Sequence, residues 1–233
     1  MFVNDYIMRM IMQITHFIAR IVRLQKEQRP EQALVLLGQG YAFFFSSSIE
    51  LMEQMSVEEL RKWMRDIEKD SDEGLQGLLE FMHTHVQIRE QLIEEDGDGD
   101  EALDNLHLFR MKMVTFYLRL VLEEARKSML VLHERQSLEM SKLLDYQLPI
   151  EIYQWMVDYY VANKDMAKAE DVLYLALETI QESSRGEQIE TWKEVGLRFY
   201  ETASEFTDEQ LAACGLSMDE IWDGRQQWLV RYQ

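Results

Sequence analysis

Catalysis and metal binding need particular side chains at particular spacings, so the titratable clusters come first. The run Glu94-Glu95-Asp96-Gly97-Asp98-Gly99-Asp100-Glu101 alternates carboxylates as an EF-hand calcium loop does. That loop needs glycine at its sixth place and a bidentate glutamate at its twelfth. Counted from Asp96, those places hold Glu101 and His107, so a solvated loop is expected instead. The histidines are His16, His83, His85, His107 and His133. His83 and His85 stand two apart, which on a helix sends them to different faces. Glu80 and His83 match the Glu-x-x-His spacing of a di-iron bundle once, and the second copy that such a site requires is missing. Each histidine is expected to be a surface or partly buried polar group, with no metal and no cofactor.

Nucleophilic chemistry finds no footing either. The chain has no G-x-S-x-G elbow, no phosphate-cradling glycine loop and no dinucleotide fingerprint. Its single cysteine, Cys214 in Ala212-Ala213-Cys214-Gly215, reads as a small packed hydrophobe. Carboxylates are so abundant that a pair of them says nothing about acid–base catalysis. The residues nominate no catalytic set, and a non-enzyme is expected.

Composition narrows the partners. Among 233 residues, 24 Lys+Arg stand against 43 Asp+Glu, a net charge of −19, while 47% are hydrophobic. So acidic a surface repels phosphate backbones, and no nucleic-acid partner is expected. One cysteine forbids an intramolecular disulfide and suits a reducing compartment, so a cytoplasmic protein is expected. Asp5 stands where a secretory signal carries basic residues, and Arg9, Gln13, His16 and Arg20 interrupt the first apolar run, so neither signal peptide nor membrane span is expected. The first 30 residues are locally basic: Arg9, Arg20, Arg23, Lys26 and Arg29 against Asp5 and Glu27. A basic amphipathic helix can dock on an acidic partner or anionic lipid. The apolar stripe beneath these cations favours a helix packed into the core.

The elements that carry these residues are helical throughout. Ile7, Met10, Ile11, Ile14, Phe17, Ile18, Ile21 and Leu24 recur at three- and four-residue intervals. Pro30 opens a second helix through Leu34, Leu37, Tyr41 and Phe44. Ser56 and Glu59 spell a capping box, and another helix runs from about 72 to 94. A long helix is expected over 102–135, a shorter one ending near Leu148-Pro149, then helices at 150–163, 166–182 and 187–205. Thr207 with Gln210 and Ser217 with Glu220 cap two short final helices. The organisation expected is an N-terminal helical region 1–95, an acidic Gly/Asp loop 96–101 and a C-terminal helical region 102–233, or one continuous domain. Methionine, 15 copies, is expected chiefly as core filler.

Residues 153–177, YQWMVDYYVANKDMAKAEDVLYLAL, resemble a tetratricopeptide repeat, with Tyr160, Asp165, Ala169, Ala176 and Leu177 in its marked places. Val157 replaces the usual glycine, Lys164 stands where glycine often turns the chain, and no proline closes the unit. Trp192, Val195, Gly196 and Phe199 match the first helix of a next unit, 39 residues from Tyr153 against about 34 for the regular repeat. The Ser183-Ser184-Arg185-Gly186 linker accounts for the excess. Phe17, Leu24, Ala33, Leu37 and Gly40 echo the pattern weakly. The opening, Asn4-Asp5-Tyr6-Ile7-Met8-Arg9-Met10-Ile11 with its Pro-Glu-Gln-Ala-Leu helix, resembles an uncharacterised family of helical, tetratricopeptide-like proteins from Gram-positive bacteria.

These resemblances imply an all-α fold: a right-handed stack of antiparallel helix pairs, irregular in its middle, with its clearest pairs at about 150–205. In such arrays the first helices line a concave surface that takes an extended peptide or a helix. The inward positions implied here are Gln154, Trp155, Asp158, Lys193, Leu197 and Tyr200. The function expected is a non-catalytic interaction or scaffold protein for an unidentified protein or peptide. A peptide-responsive signalling regulator stands second and an unrecognised hydrolase third. The closing residues Ile221, Trp222, Trp228, Leu229 and Tyr232 are expected to cap the stack or to pair two copies as a homodimer.

Overall fold

The computed structural model describes residues 2–67, 69–97, 99–182 and 186–231, with side chains described except at 2–10, 96, 182 and 186–188. Among these residues the structure is all-helical, with no strand. It divides into two compact units, Met1–Glu139 and Met140–Gln233. The first holds α1 (Phe2–Lys26), α2 (Pro30–Phe45), α3 (Ile49–Gln54), α4 (Val57–Asp66), α5 (Asp72–Asp96), α6 (Asp100–Leu122) and a 3-10 helix (Lys127–Leu132). The division falls inside α7 (His133–Leu143). The second unit continues with α8 (Ile150–Ala162), α9 (Met166–Glu182), α10 (Gly186–Ala203), α11 (Asp208–Ala213) and α12 (Met218–Arg231).

Local chemistry fixes most of the helix starts. The Ser56 hydroxyl accepts from the Glu59 N–H while the Glu59 carboxylate accepts from the Ser56 N–H, the reciprocal box expected there. Thr207 with Gln210 and Ser217 with Glu220 do the same for α11 and α12. Pro30 sits in the first turn of α2, where its missing N–H costs nothing.

In the first unit α5 is the hub, packed against α1, α2 and α6. Its Phe81 gathers Phe17, Tyr41, Phe44 and Phe45, with ring centroids 5.4–6.0 Å away. Gly40 makes the gathering possible, since a Cβ there would lie 2.3 Å from the Phe81 ring and 2.6 Å from Phe17. The basic N-terminal helix is packed: Ile14 and Ile21 are buried, Arg23 pairs with Glu27, and Arg20 lies over the Phe17 ring. Met52, Met64, Met82 and Met113 are fully buried, the core use expected of methionine.

Two expectations need correction. The long helix over 102–135 stops at Leu122, because Ala125 adopts φ +52° and the chain restarts as the 3-10 helix. The stop is held from afar: the Arg126 guanidinium binds Asp70, Asp72 and Glu124 at 2.7–3.0 Å. The shorter helix expected to end near Pro149 ends at Leu143, and Pro149 caps α8 instead. The acidic run occupies less loop than its composition suggests. Asp96 closes α5, Asp100 opens α6, and the two helices pack together within one unit. Of the alternating carboxylates, Asp98 and the Asp96 side chain lie outside the described residues.

In the second unit Ala169 and Ala176 are fully buried where α9 meets α8. The Tyr153 hydroxyl, near the start of α8, lies 3.4 Å from that of Thr179 near the end of α9, and Lys168 near the start of α9 lies over the Tyr160 ring. Trp192 donates from Nε1 to the Leu173 carbonyl, tying α10 to α9. The last helix seats Trp228 on Gly196, where a Cβ would fall 2.1–2.3 Å from the indole, and Trp228 Nε1 donates to the Lys193 carbonyl. Ile221 is also buried, Trp222 is exposed, and Tyr232 lies outside the described residues.

Candidate functional site

The face implied by the repeat resemblance is present in part. A cleft of about 160 Å³ runs between α8 and α10, lined by Val157, Asp158 and Val161 from one and Val195, Arg198, Phe199 and Thr202 from the other. Arg198 Nη2 reaches Asp158 Oδ1 at 3.1 Å across it. Burial pushes the Asp158 carboxyl up, and the Arg198 charge and hydrogen bond oppose that rise. Of the six inward positions expected, Asp158 lines this cleft. Gln154, Trp155, Lys193 and Leu197 are half-buried on the same two helices without lining it.

Tyr200 is displaced from that set. Its ring is fully buried and its hydroxyl donates to Glu170 Oε1 at 2.7 Å, with Tyr174 3.2 Å away and the Trp228 ring packed alongside. It therefore serves the α9 and α12 side of α10. The cleft side is instead the stripe Val195, Arg198, Phe199 and Thr202, rotated from Lys193, Leu197 and Tyr200 by a fraction of a turn. Gly196 carried the signal for this register, because the face bearing the notch must meet a bulky partner, and that partner is Trp228.

A larger cleft, not anticipated, lies in the first unit. It encloses about 570 Å³ between α3, α5 and α6. Glu53 and Gln54 from α3, His85 and Arg89 from α5, and Asn105 and Lys112 from α6 bring polar groups to it, with Leu92, Ile93, Leu106 and Phe109 as apolar wall. Helical spacing explains the convergence: His85, Arg89 and Leu92 follow one face of α5, and Asn105, Phe109 and Lys112 one face of α6.

The electrostatics of this cleft centre on Glu53. Arg89 Nη2 donates to its Oε1 at 2.7 Å, and His85 Nε2 lies 3.2 Å from the same oxygen. Burial raises this carboxyl, but hydrogen bonds from His85 and Arg89, with the Arg89 charge, outweigh it and bring it down to about 2. His85 is fully buried, and that burial lowers its affinity for a proton despite Glu53. Arg89 Nε lies 3.4 Å from the same Nε2, and the buried Nδ1 of His85 has no hydrogen-bond partner. Lys112 Nζ donates to the Met52 and Glu53 carbonyls at 3.0 and 2.6 Å, so its charge sits at the negative end of α3. Burial lowers the Lys112 ammonium, with Glu53 and Glu59 opposing.

The expectation that each histidine is a surface or partly buried group fails for His85, which is fully buried, and His83 is nearly so. His83 and His85 are both buried, and as expected they serve different faces: His83 Nδ1 lies 3.5 Å from Glu139, whereas His85 meets Glu53. Glu139 also takes a 2.8 Å hydrogen bond from Arg110 Nε, and the Arg110 guanidinium pairs with Glu90 as well. Among the described residues no group of three or more His, Cys, Asp or Glu side chains is placed to hold a metal ion, and no helix is long and apolar enough to cross a membrane.

Residues 1–233 match the model of a protein family described as "Family of unknown function (DUF6483)", and the chain belongs to that family. No curated protein and no solved structure matches it.

Proposed function

We propose that this family member is a non-catalytic binding protein that takes an extended peptide or a helix along the α8–α10 face. The observation that carries the reading is the cleft itself, in which Val157, Val161, Val195 and Phe199 form an apolar floor crossed by the Asp158–Arg198 ion pair. An apolar floor supplies affinity, and a charged pair at its edge supplies register to a bound backbone or side chain. Three further features favour tetratricopeptide-like antiparallel pairs. The start of α8 meets the end of α9, Ala169 and Ala176 are buried between them, and α12 covers the face of α10 that bears Gly196.

Selection from a displayed random-peptide library tests this. Enriched peptides should bind the wild-type protein and lose about tenfold or more in affinity on Arg198→Glu or Val161→Glu, both at accessible positions of the cleft lining. Tyr200 is unsuitable as a probe because it holds the core. Enriched peptides that bind both variants as well as wild type would remove the α8–α10 face from consideration. A peptide-responsive regulator and a passive scaffold part on one further measurement, a large peptide-dependent rise in melting temperature that favours the regulator.

A further inference from the structure

We propose that the cleft between α3, α5 and α6 binds a ligand that joins a carboxylate to an apolar body, such as a medium-chain acid. The donors in the cleft outnumber its acceptors. A guanidinium has five N–H groups and an ammonium three. Arg89 points Nη2 at Glu53 and Nε at His85, and its Nη1 meets no acceptor among the described residues. Lys112 gives two of its three hydrogens to the Met52 and Glu53 carbonyls, which leaves one. Arg89 and Lys112 together carry two positive charges against the one of Glu53, so the lining is net positive within a chain of net charge −19. A carboxylate offers about four lone-pair sites, a match for the spare donors of two cations.

The rest of the lining argues for more than a bare anion. Leu92, Ile93, Leu106 and Phe109 form one wall, and about 570 Å³ is of the size that encloses a drug-sized organic molecule. Burying an apolar tail there gains free energy in proportion to its area, while Asn105 and Gln54 add neutral polar edges at the lining. Inorganic phosphate satisfies the donors but leaves that wall bare. The same chemistry can come from a free acid or from the C-terminal carboxylate of a peptide ending in an apolar residue.

Calorimetric titration of the full chain with octanoate, octanamide and inorganic phosphate tests the assignment. Octanoate should bind saturably at one site. Octanamide, which keeps the tail and loses the charge, should bind about tenfold more weakly or worse, and phosphate should not saturate. Arg89→Gln and Lys112→Gln should each weaken octanoate by about tenfold, while Lys168→Gln, which removes an exposed cation of the second unit, should leave it unchanged. A leucine-ended hexapeptide with free or amidated terminus then distinguishes the two sources, the free-terminus form binding more tightly than octanoate if the ligand is a chain end. Circular dichroism of each variant confirms its fold, and competition by octanoate against a cleft-bound fluorescent acid supplies a second readout in wild type. Octanamide or phosphate equal to octanoate, no saturable octanoate binding in wild type, or full binding by both cleft variants would overturn the proposal.

Discussion

The two units both seat aromatics in glycine notches, at Gly40 and at Gly196, but they differ in what else holds their helices together. The first buries charges. Arg110 and Glu139 are nearly inaccessible and paired, and Arg61 is buried against Asp70 and Glu124. In the second, alanines and Gly196 let helices approach, and the aromatics that fill the seams send their polar atoms to Leu173, Lys193 and Glu170. Three of its ion pairs, Lys168–Asp165, Lys193–Glu190 and Arg198–Asp158, are substantially exposed. Exposed pairs contribute little, whereas a buried charge that loses its partner costs far more than the pair was worth. Both units are therefore sensitive to added volume at their notches, and the first alone is also brittle to charge deletion.

The largest test of that contrast is Arg110→Met, which takes the guanidinium away from the buried Glu139 carboxylate. It should cost about 3–5 kcal/mol in urea denaturation, and Arg110→Met with Glu139→Leu should recover most of the loss. Full loss in the double variant would mean that the pair packs as much as it neutralises. Next in size, Gly196→Ala forces a methyl against Trp228 and should cost about 1–3 kcal/mol by the same measurement.

Acid denaturation probes the first unit at Glu53. Its folded carboxyl titrates near 2 against an ordinary 4.5, so the stability it contributes is present above pH 4.5 and is lost as pH falls toward 2. His85 works in the same direction: lowered in the folded chain from 6.5, it favours unfolding progressively below that pH. Glu53→Gln should flatten the acid limb between pH 4.5 and 2 by about 1 kcal/mol, a figure reduced because the carboxylate is about one-third exposed. The smallest effect belongs to the turn between α8 and α9, where Lys164 holds φ +61°. Lys164→Gly should raise stability by about 0.5–1 kcal/mol, seen as a higher melting temperature.

Which elements could be read in advance follows from the range of their interactions. Capping boxes at Ser56 and Thr207 and the alanine spacing of α9 act over three to seven residues, and a periodic reading finds them. The break at Ala125 depends on Asp70 and Asp72, more than fifty positions earlier. The Glu53–His85–Lys112 cleft draws on three helices whose adjacency no local pattern reveals. The histidines looked dispersed for the same reason, since burial of His83 and His85 is decided by α3 and α7. The α10 register lay between these cases. Gly196 was visible as a small residue, but that its partner would be Trp228, and that Tyr200 would turn away with it, required the C-terminal helix to be placed.

The seating of Trp228 in the Gly196 notch also sets an order of events during translation. Synthesis delivers α8, α9 and α10 first, and domains begin to fold as they emerge. Until α12 has cleared the ribosome, the notch and the Tyr200 edge of α10 remain bare to other nascent chains and to chaperones. Completion of this unit therefore waits on a single indole some thirty residues downstream of its socket.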